Sequence, residues 1–168
     1  MTLPFSALVA VIAALLETSV LAELPLAGAT IDLVLVCAAV ATLVLGVEDG
    51  LAIAFLGGLL VDMVVPDRPM GAATLAILLA LGLAFVVSRA MGPGRRLIVV
   101  GVILILTPVY HVLFTGIMAL VANADLAIDI STILIAAVLN AVLAIPIAAL
   151  FGALERRFGA TERAAWYP

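Results

Sequence analysis

The residues of this chain that are able to do chemistry are few, and they sit in definable settings. The densest is Gly57-Gly58-Leu59-Leu60-Val61-Asp62-Met63-Val64-Val65-Pro66-Asp67-Arg68-Pro69-Met70-Gly71-Ala72. Asp62 lies about one turn inside the end of an apolar stretch, after which two prolines, an Asp67–Arg68 pair and Gly71 turn the chain. Proline removes a backbone donor and fixes φ, whereas glycine tolerates positive φ, so these residue types write a turn. A carboxylate within an apolar segment is costly unless it faces protein or finds a donor. Asp62 has two candidate partners, Arg68 and the free N–H groups that open the following helix, whose dipole favours an anion. The segment therefore reads either as the cap of a helix hairpin or as part of a partner interface.

A second setting is Thr107-Pro108-Val109-Tyr110-His111. Proline frees a carbonyl one turn earlier, which polar neighbours commonly satisfy. His111 and Thr115 share a face at i and i+4. A proton relay needs a chain of titratable groups and this stretch offers one, so an interhelical hydrogen bond is expected, with Asn140 as a candidate partner. Glu17 and Asp32 are the other acids within or at the edge of apolar runs. The single cysteine, Cys37, and the single histidine rule out a disulfide framework and a multi-histidine metal site. There is no phosphate-binding Gly-Lys-Ser/Thr loop, no nucleophile elbow and no paired His/Glu metal motif. A non-enzymatic protein without metal or cofactor is expected.

The elements that position these residues follow from composition. Of 168 residues 67% are hydrophobic and 11% charged, with mean hydropathy +1.45. A soluble domain is about a quarter charged and a disordered chain is more polar still, so the expectation is an all-α integral membrane protein facing the lipid bilayer. The length allows at most about eight spans of roughly 20 residues and no sizeable domain outside the membrane. The formal charge is −4 and all seven basic residues are arginine; with no basic stripe, nucleic acid is not an expected partner.

Six apolar stretches divide the chain, at about 3–21, 31–46, 51–65, 70–88, 97–122 and 130–154, with 155–168 as a cytoplasmic tail. Together they predict one domain, a six-helix transmembrane bundle over residues 1–168. Glu17 is expected to interrupt the last turn of the first span. Val47-Glu48-Asp49-Gly50 is read as the turn between spans two and three, which are short and expected to form a tight or tilted hairpin. With a cytoplasmic N-terminus, the inner segments hold Arg89, Arg95, Arg96, Arg156, Arg157 and Arg163, and the outer ones only Arg68. The outer segments carry Glu17, Glu23, Asp32, Asp62, Asp67, Asp125 and Asp129. This asymmetry predicts both termini inside. Val20-Leu21-Ala22 before Glu23 has the small-residue pattern of a signal-peptidase site, but no Lys or Arg precedes the run, so a retained span is expected.

Small residues recur at four-residue spacing: Ser6, Ala10, Ala14 and Thr18; Gly50, Ala54, Gly58 and Asp62; Ala72, Ala76, Ala80, Ala84 and Ser88; Ala136, Asn140, Ala144, Ala148 and Gly152. Such ladders let helix backbones approach closely, whether within the chain or against a second protein. The tail ends Trp166-Tyr167-Pro168, aromatics suited to the headgroup level.

In Gly58, Leu59, Leu60, Asp62, Pro69 and Gly71 the chain resembles the MreD family of bacterial rod-shape-determining membrane proteins, whose pattern is a glycine, a Leu-rich stretch with Asp, a short loop and a Pro-x-Gly opening the next helix. Size and the six spans extend the resemblance over nearly the whole chain. It departs at Ile31, where members often carry proline before the acid, and at Ala72 and Ala73, where histidine is common. The resemblance implies a non-catalytic scaffold of the cell-elongation (rod-shape) machinery in the bacterial cytoplasmic membrane, supporting lateral peptidoglycan synthesis. Its implied direct partner is MreC, with MreB, RodA and its transpeptidase in the wider complex. On this view MreC's single helix packs on a small-residue face, and the Asp62–Gly71 turn with Arg68 and Pro69 fixes the complex. The fold is similar to the substrate-binding subunits of energy-coupling-factor vitamin transporters, which supply the alternative function. In those, an Ala-x-x-x-Ala face such as Ala10 and Ala14 docks the coupling partner.

Overall fold

The computed structural model describes residues 3–23, 28–66, 69–90, 96–122 and 128–165. Its helices are α1 (Leu3–Leu16), continued by a π-helical turn over Glu17–Leu21, α2 (Leu33–Val44), α3 (Val47–Val64), α4 (Ala72–Ala90), α5 (Arg96–Ala122) and α6 (Ile130–Ala165). Pro4–Leu21, Ile98–Ala122 and Ile130–Arg157 are long and apolar enough to cross a membrane, while Leu33–Val44 and Ala72–Val86 are shorter apolar helices. The described residues are predominantly helical, with six α-helices at nearly the places the apolar stretches predict.

Three boundaries differ, each for a physical reason. Glu17 does not break the first helix, which widens there into a π turn held in part by Thr18 Oγ1 donating to the Ala14 carbonyl at 2.8 Å. The acidic Val47–Gly50 segment is no turn: it is the first turn of α3, where Glu48 and Asp49 complement the helix dipole. The chain reverses at Leu45–Gly46 instead. Both residues' N–H groups reach the Ala41 carbonyl, at 2.8 and 2.9 Å, and Gly46 takes φ +133°. Finally, the expected tail is helical as far as Ala165, because Ala, Glu and Arg are strong helix formers.

The shortest helix is the most enclosed. Every residue of α2 from Val34 to Thr42 is buried, and α2 packs against all five other helices. At 12 residues it is roughly 18 Å long, well below the ~30 Å of a bilayer's hydrocarbon core. Its neighbours, not the surroundings of the protein, receive its side chains.

This enclosure requires close backbone approach, and α3 provides it. A Cβ on Gly50 would fall 1.9 Å from Thr42 Oγ1 and 2.8 Å from the Ala38 carbonyl oxygen of α2. On Gly58 it would fall 2.8 Å from Thr74 Cα of α4. The small-residue ladders serve these contacts within the chain. Ala10, Ala14, Ala76, Ala80, Ala84, Ala144 and Ala148 are all buried, as are Ser6, Ala54 and Ala136. Large side chains point the other way, among them Leu8 and Leu15 of α1, Leu75 and Leu79 of α4 and Val138 and Val142 of α6. The ladder faces turn small residues inward, and the core is completed by larger side chains such as Leu35, Ile53, Ile103 and Leu106.

Gly50→Ala should therefore lower stability by about 1–3 kcal/mol through overpacking against α2. Gly101→Ala, whose Cβ would meet nothing within 4 Å, should leave the thermal midpoint unchanged or slightly raised. Melting curves of the two variants in the same detergent check this, and equal behaviour would contradict the packing described.

Candidate functional site

The Asp62 segment forms one compact unit. The carboxylate leaves the last turn of α3 and accepts four hydrogen bonds from the start of α4. The donors are Gly71 N at 3.1 Å, Ala73 N at 3.0 Å, Thr74 N at 3.1 Å and Thr74 Oγ1 at 2.9 Å. Ala72 N donates to the Pro69 carbonyl at 3.1 Å, and Leu75 N to the Gly71 carbonyl at 2.8 Å. Every N–H that would be orphaned at this helix start is thereby paired. Gly71 makes the turn possible with φ +92°, and Gly58 admits Thr74 close enough for its hydroxyl to reach Asp62. Of the two partners the sequence offered, the helix N–H groups hold Asp62; Arg68 lies outside the described residues. Gly58, Asp62, Pro69 and Gly71 come together as a helix-to-helix joint.

Glu17 acts in the same way at a distance. Its Oε2 accepts Val34 N at 2.8 Å, in the first turn of α2. Asp32 precedes α2 but its side chain does not cap it. That side chain instead turns to a polar node between helices. Asn140 of α6 accepts from Asp32 N through Oδ1 at 3.1 Å, and through Nδ2 it donates to Asp32 Oδ2 at 3.0 Å and to Thr107 Oγ1 at 3.3 Å. The Thr107 hydroxyl in turn donates a hydrogen bond to the Ile103 carbonyl at 3.0 Å. His111 Nε2 stands 3.5 Å from Asp32 Oδ2. The expected interhelical role of His111 and Asn140 thus takes a specific form: both meet Asp32, which links the start of α2 to α5 and α6.

Glu17, Asp32, Tyr110 and Thr30 also line a cleft of about 120 Å³, together with Thr18, Leu21, Ala22, Ile31, Val61 and Val65. The end of α1, the start of α2 and the end of α3 therefore meet at one end of the bundle. Nearer the opposite end, Ser6 of α1 donates a short hydrogen bond to Asp49 of α3, both side chains being buried. This link escaped sequence reasoning, although the spacing of Ser6 in the first small-residue ladder marks its face. Thr74 and Thr107 escaped it too, since a lone threonine in an apolar helix gives no sign of which carboxylate or amide it will meet. Among the described residues no group of three or more His, Cys, Asp or Glu side chains is placed to hold a metal ion. No described buried side-chain N or O atom lacks a hydrogen-bond partner.

A third carboxylate caps α6. Asp129 Oδ1 accepts Ser131 N and Ser131 Oγ at 3.0 and 2.5 Å, and Oδ2 accepts Thr132 Oγ1 at 2.7 Å. These side-chain hydrogen bonds, Ser131's first, pull the Asp129 carboxyl down from 3.8 to about 2. A carboxyl depressed in the folded state contributes stability above its unfolded value, and loses it as pH falls through the folded one. The contribution of this exposed cap should thus be intact at pH 5 and vanish between about pH 4 and 2. A carbon-13 NMR titration of the Asp129 carboxyl should place its midpoint near the lower end of that window, and Ser131→Ala should move it upward.

Removing the buried joint should cost more. Asp62→Ala leaves three N–H groups and a hydroxyl without their acceptor, a loss of about 2–4 kcal/mol on capping and desolvation grounds. Asp62→Asn, which keeps an acceptor oxygen, should lose less. Thermal unfolding of both variants orders them; equal losses would mean that the charge and not the bonding geometry dominates.

No family model, curated protein or solved structure matches the chain.

Proposed function

We propose that the chain is a non-catalytic membrane scaffold subunit of the bacterial cell-elongation machinery, akin to MreD. The observation that carries this reading is the unity of the motif. Gly58, Asp62, Pro69 and Gly71, the positions of the resemblance, make a single joint between α3 and α4 through the four hydrogen bonds to Asp62 and the close approach at Gly58. The distribution of polarity supports it. Buried polar side chains bind helix to helix, while large apolar side chains cover the exterior, as suits a body that packs against lipid and partner helices. Multi-pass insertion in the cytoplasmic membrane with both termini inside follows from the arginine asymmetry.

The reading is modified in one respect. The small-residue ladders are turned into the bundle, so a partner helix such as that of MreC packs instead on bulky outer faces such as Leu75 and Leu79 of α4. The vitamin-transporter alternative draws less support. Its docking pair, Ala10 and Ala14, is buried against the rest of the chain. The cleft described beside Glu17 and Asp32, of about 120 Å³, has room for a few waters, each occupying about 30 Å³ of liquid, and is smaller than the roughly 300–1,000 Å³ of small-molecule pockets.

Depletion of the protein in its host should turn rods into rounded cells, and its purification from membranes should bring MreC with it. Cells that keep their shape, and preparations free of MreC, would dismiss the scaffold reading. Saturable nanomolar binding of a vitamin by the purified protein would favour the transporter.

A further inference from the structure

One outward row of α4 ends in a cation. Gly82, Leu83 and Val86 lie on the exposed side of this helix, and Arg89, exposed as well, continues their row one turn beyond Val86. Gly82 leaves a notch in the row, since a Cβ there would meet nothing within 4 Å. The Arg89 guanidinium is held over the Phe85 ring at 4.8 Å, and among the described residues it makes no ion pair. Charge at this end of the bundle favours an anion. The sequence has no Asp or Glu between Asp67 and Asp125, yet it places Arg95 and Arg96 soon after Arg89. Arg96 opens α5, which packs on α4 and has no acidic residue in its first turn. The acids that open α3 at the same end, Glu48 and Asp49, complement their own helix start.

We propose that this row is a binding site for one anionic phospholipid, whose phosphate meets Arg89 and whose acyl chain lies along Val86, Leu83 and the Gly82 notch. From Gly82 to Arg89 the helix rises about 10 Å, within the roughly 15 Å of hydrocarbon in one leaflet. A guanidinium suits the phosphate because its planar fork donates two parallel hydrogen bonds, and because it gives up water more readily than an ammonium does. Basic sites beside membrane helices take anionic headgroups on these grounds. A soluble anion would satisfy the arginine but leave the apolar row uncovered. An apolar partner helix would cover the row but leave the arginine without a counter-charge. A phospholipid does both, and Leu75 and Leu79, nearer the other end of α4, remain for a partner helix. The inference rests on the reading of the chain as a membrane protein, and not on its role in cell elongation.

Thermal unfolding of the full chain in one non-ionic detergent, with lipid added, tests it. Dioleoylphosphatidylglycerol should raise the midpoint saturably, by about 2–5 °C more than dioleoylphosphatidylcholine at roughly ten times its half-saturating concentration. Inorganic phosphate should give no such gain. Arg89→Gln should bring the phosphatidylglycerol gain down to that of phosphatidylcholine. Gly82→Leu, which fills the notch, should raise the half-saturating concentration several-fold. Arg156→Gln, at an exposed arginine of α6 at the same end of the bundle, should leave the gain intact. Equal gains from the two lipids, a gain that survives Arg89→Gln or is lost equally in Arg156→Gln, an unchanged half-saturation in Gly82→Leu, or a gain reproduced by phosphate would each overturn the site. A chain recovered from cells without detergent would instead refute the membrane reading on which the site rests.

Discussion

The interaction on which this structure depends is the carboxylate that accepts backbone N–H groups at a helix start. In an apolar setting no water is present to satisfy the first-turn donors of a helix, and each one left alone is costly. The chain answers with acids. Glu17 reaches across to α2, Asp62 to α4 and Asp129 to α6. The first two come from a different helix from the one they cap, so each cap is also a tertiary contact. Helix α2, the shortest and most buried, is held at this end by Glu17 on one side and by the Asp32–Asn140 pair on the other.

These joints explain why the interior can be so small in residue size. With the polar ends paired, the helices approach along Ala and Gly faces, and dispersion contacts between backbones add to those of larger core side chains such as Leu35, Ile53, Ile103 and Leu106. Gly50 and Gly58 mark where the approach is closest. The bulky residues are thereby released to the exterior. The shape is set from within, and the outer faces can change without disturbing the polar joints.

The sorting of charge along the sequence acquires a second meaning in this light. In the sequence the acids that stand opposite the arginines predict a topology, and several of them also pair the N–H groups at helix starts. Arg89, in the last turn of α4, stands 4.8 Å over the ring of Phe85 and complements the opposite pole of its helix. Topology signal and helix stabilisation thus draw on the same residues. A partner surface need not be invoked to account for most of the acidic rim.

Much of this architecture was legible in the sequence. The apolar runs located six helices, because the need to satisfy the backbone without water makes helix the natural form of a long apolar stretch. Ladders at four-residue spacing marked faces of close packing, because periodicity on a helix is a local property, but only the structure turned them inward. Asp62 was visible as a cap, because its acceptor role and the Pro-x-Gly turn are adjacent in sequence. What required the tertiary structure was every pairing across distance. Asn140 meets Asp32 from 108 positions away, Ser6 meets Asp49 from 43, and Glu17 accepts the Val34 N–H from 17. The Val47–Gly50 segment was misread for a related reason: two acids before an apolar run suit both a turn and a helix start, and only the reversal at Gly46 decided between them. Residue type sets what a polar group needs, but which partner meets that need depends on how the helices are arranged around α2.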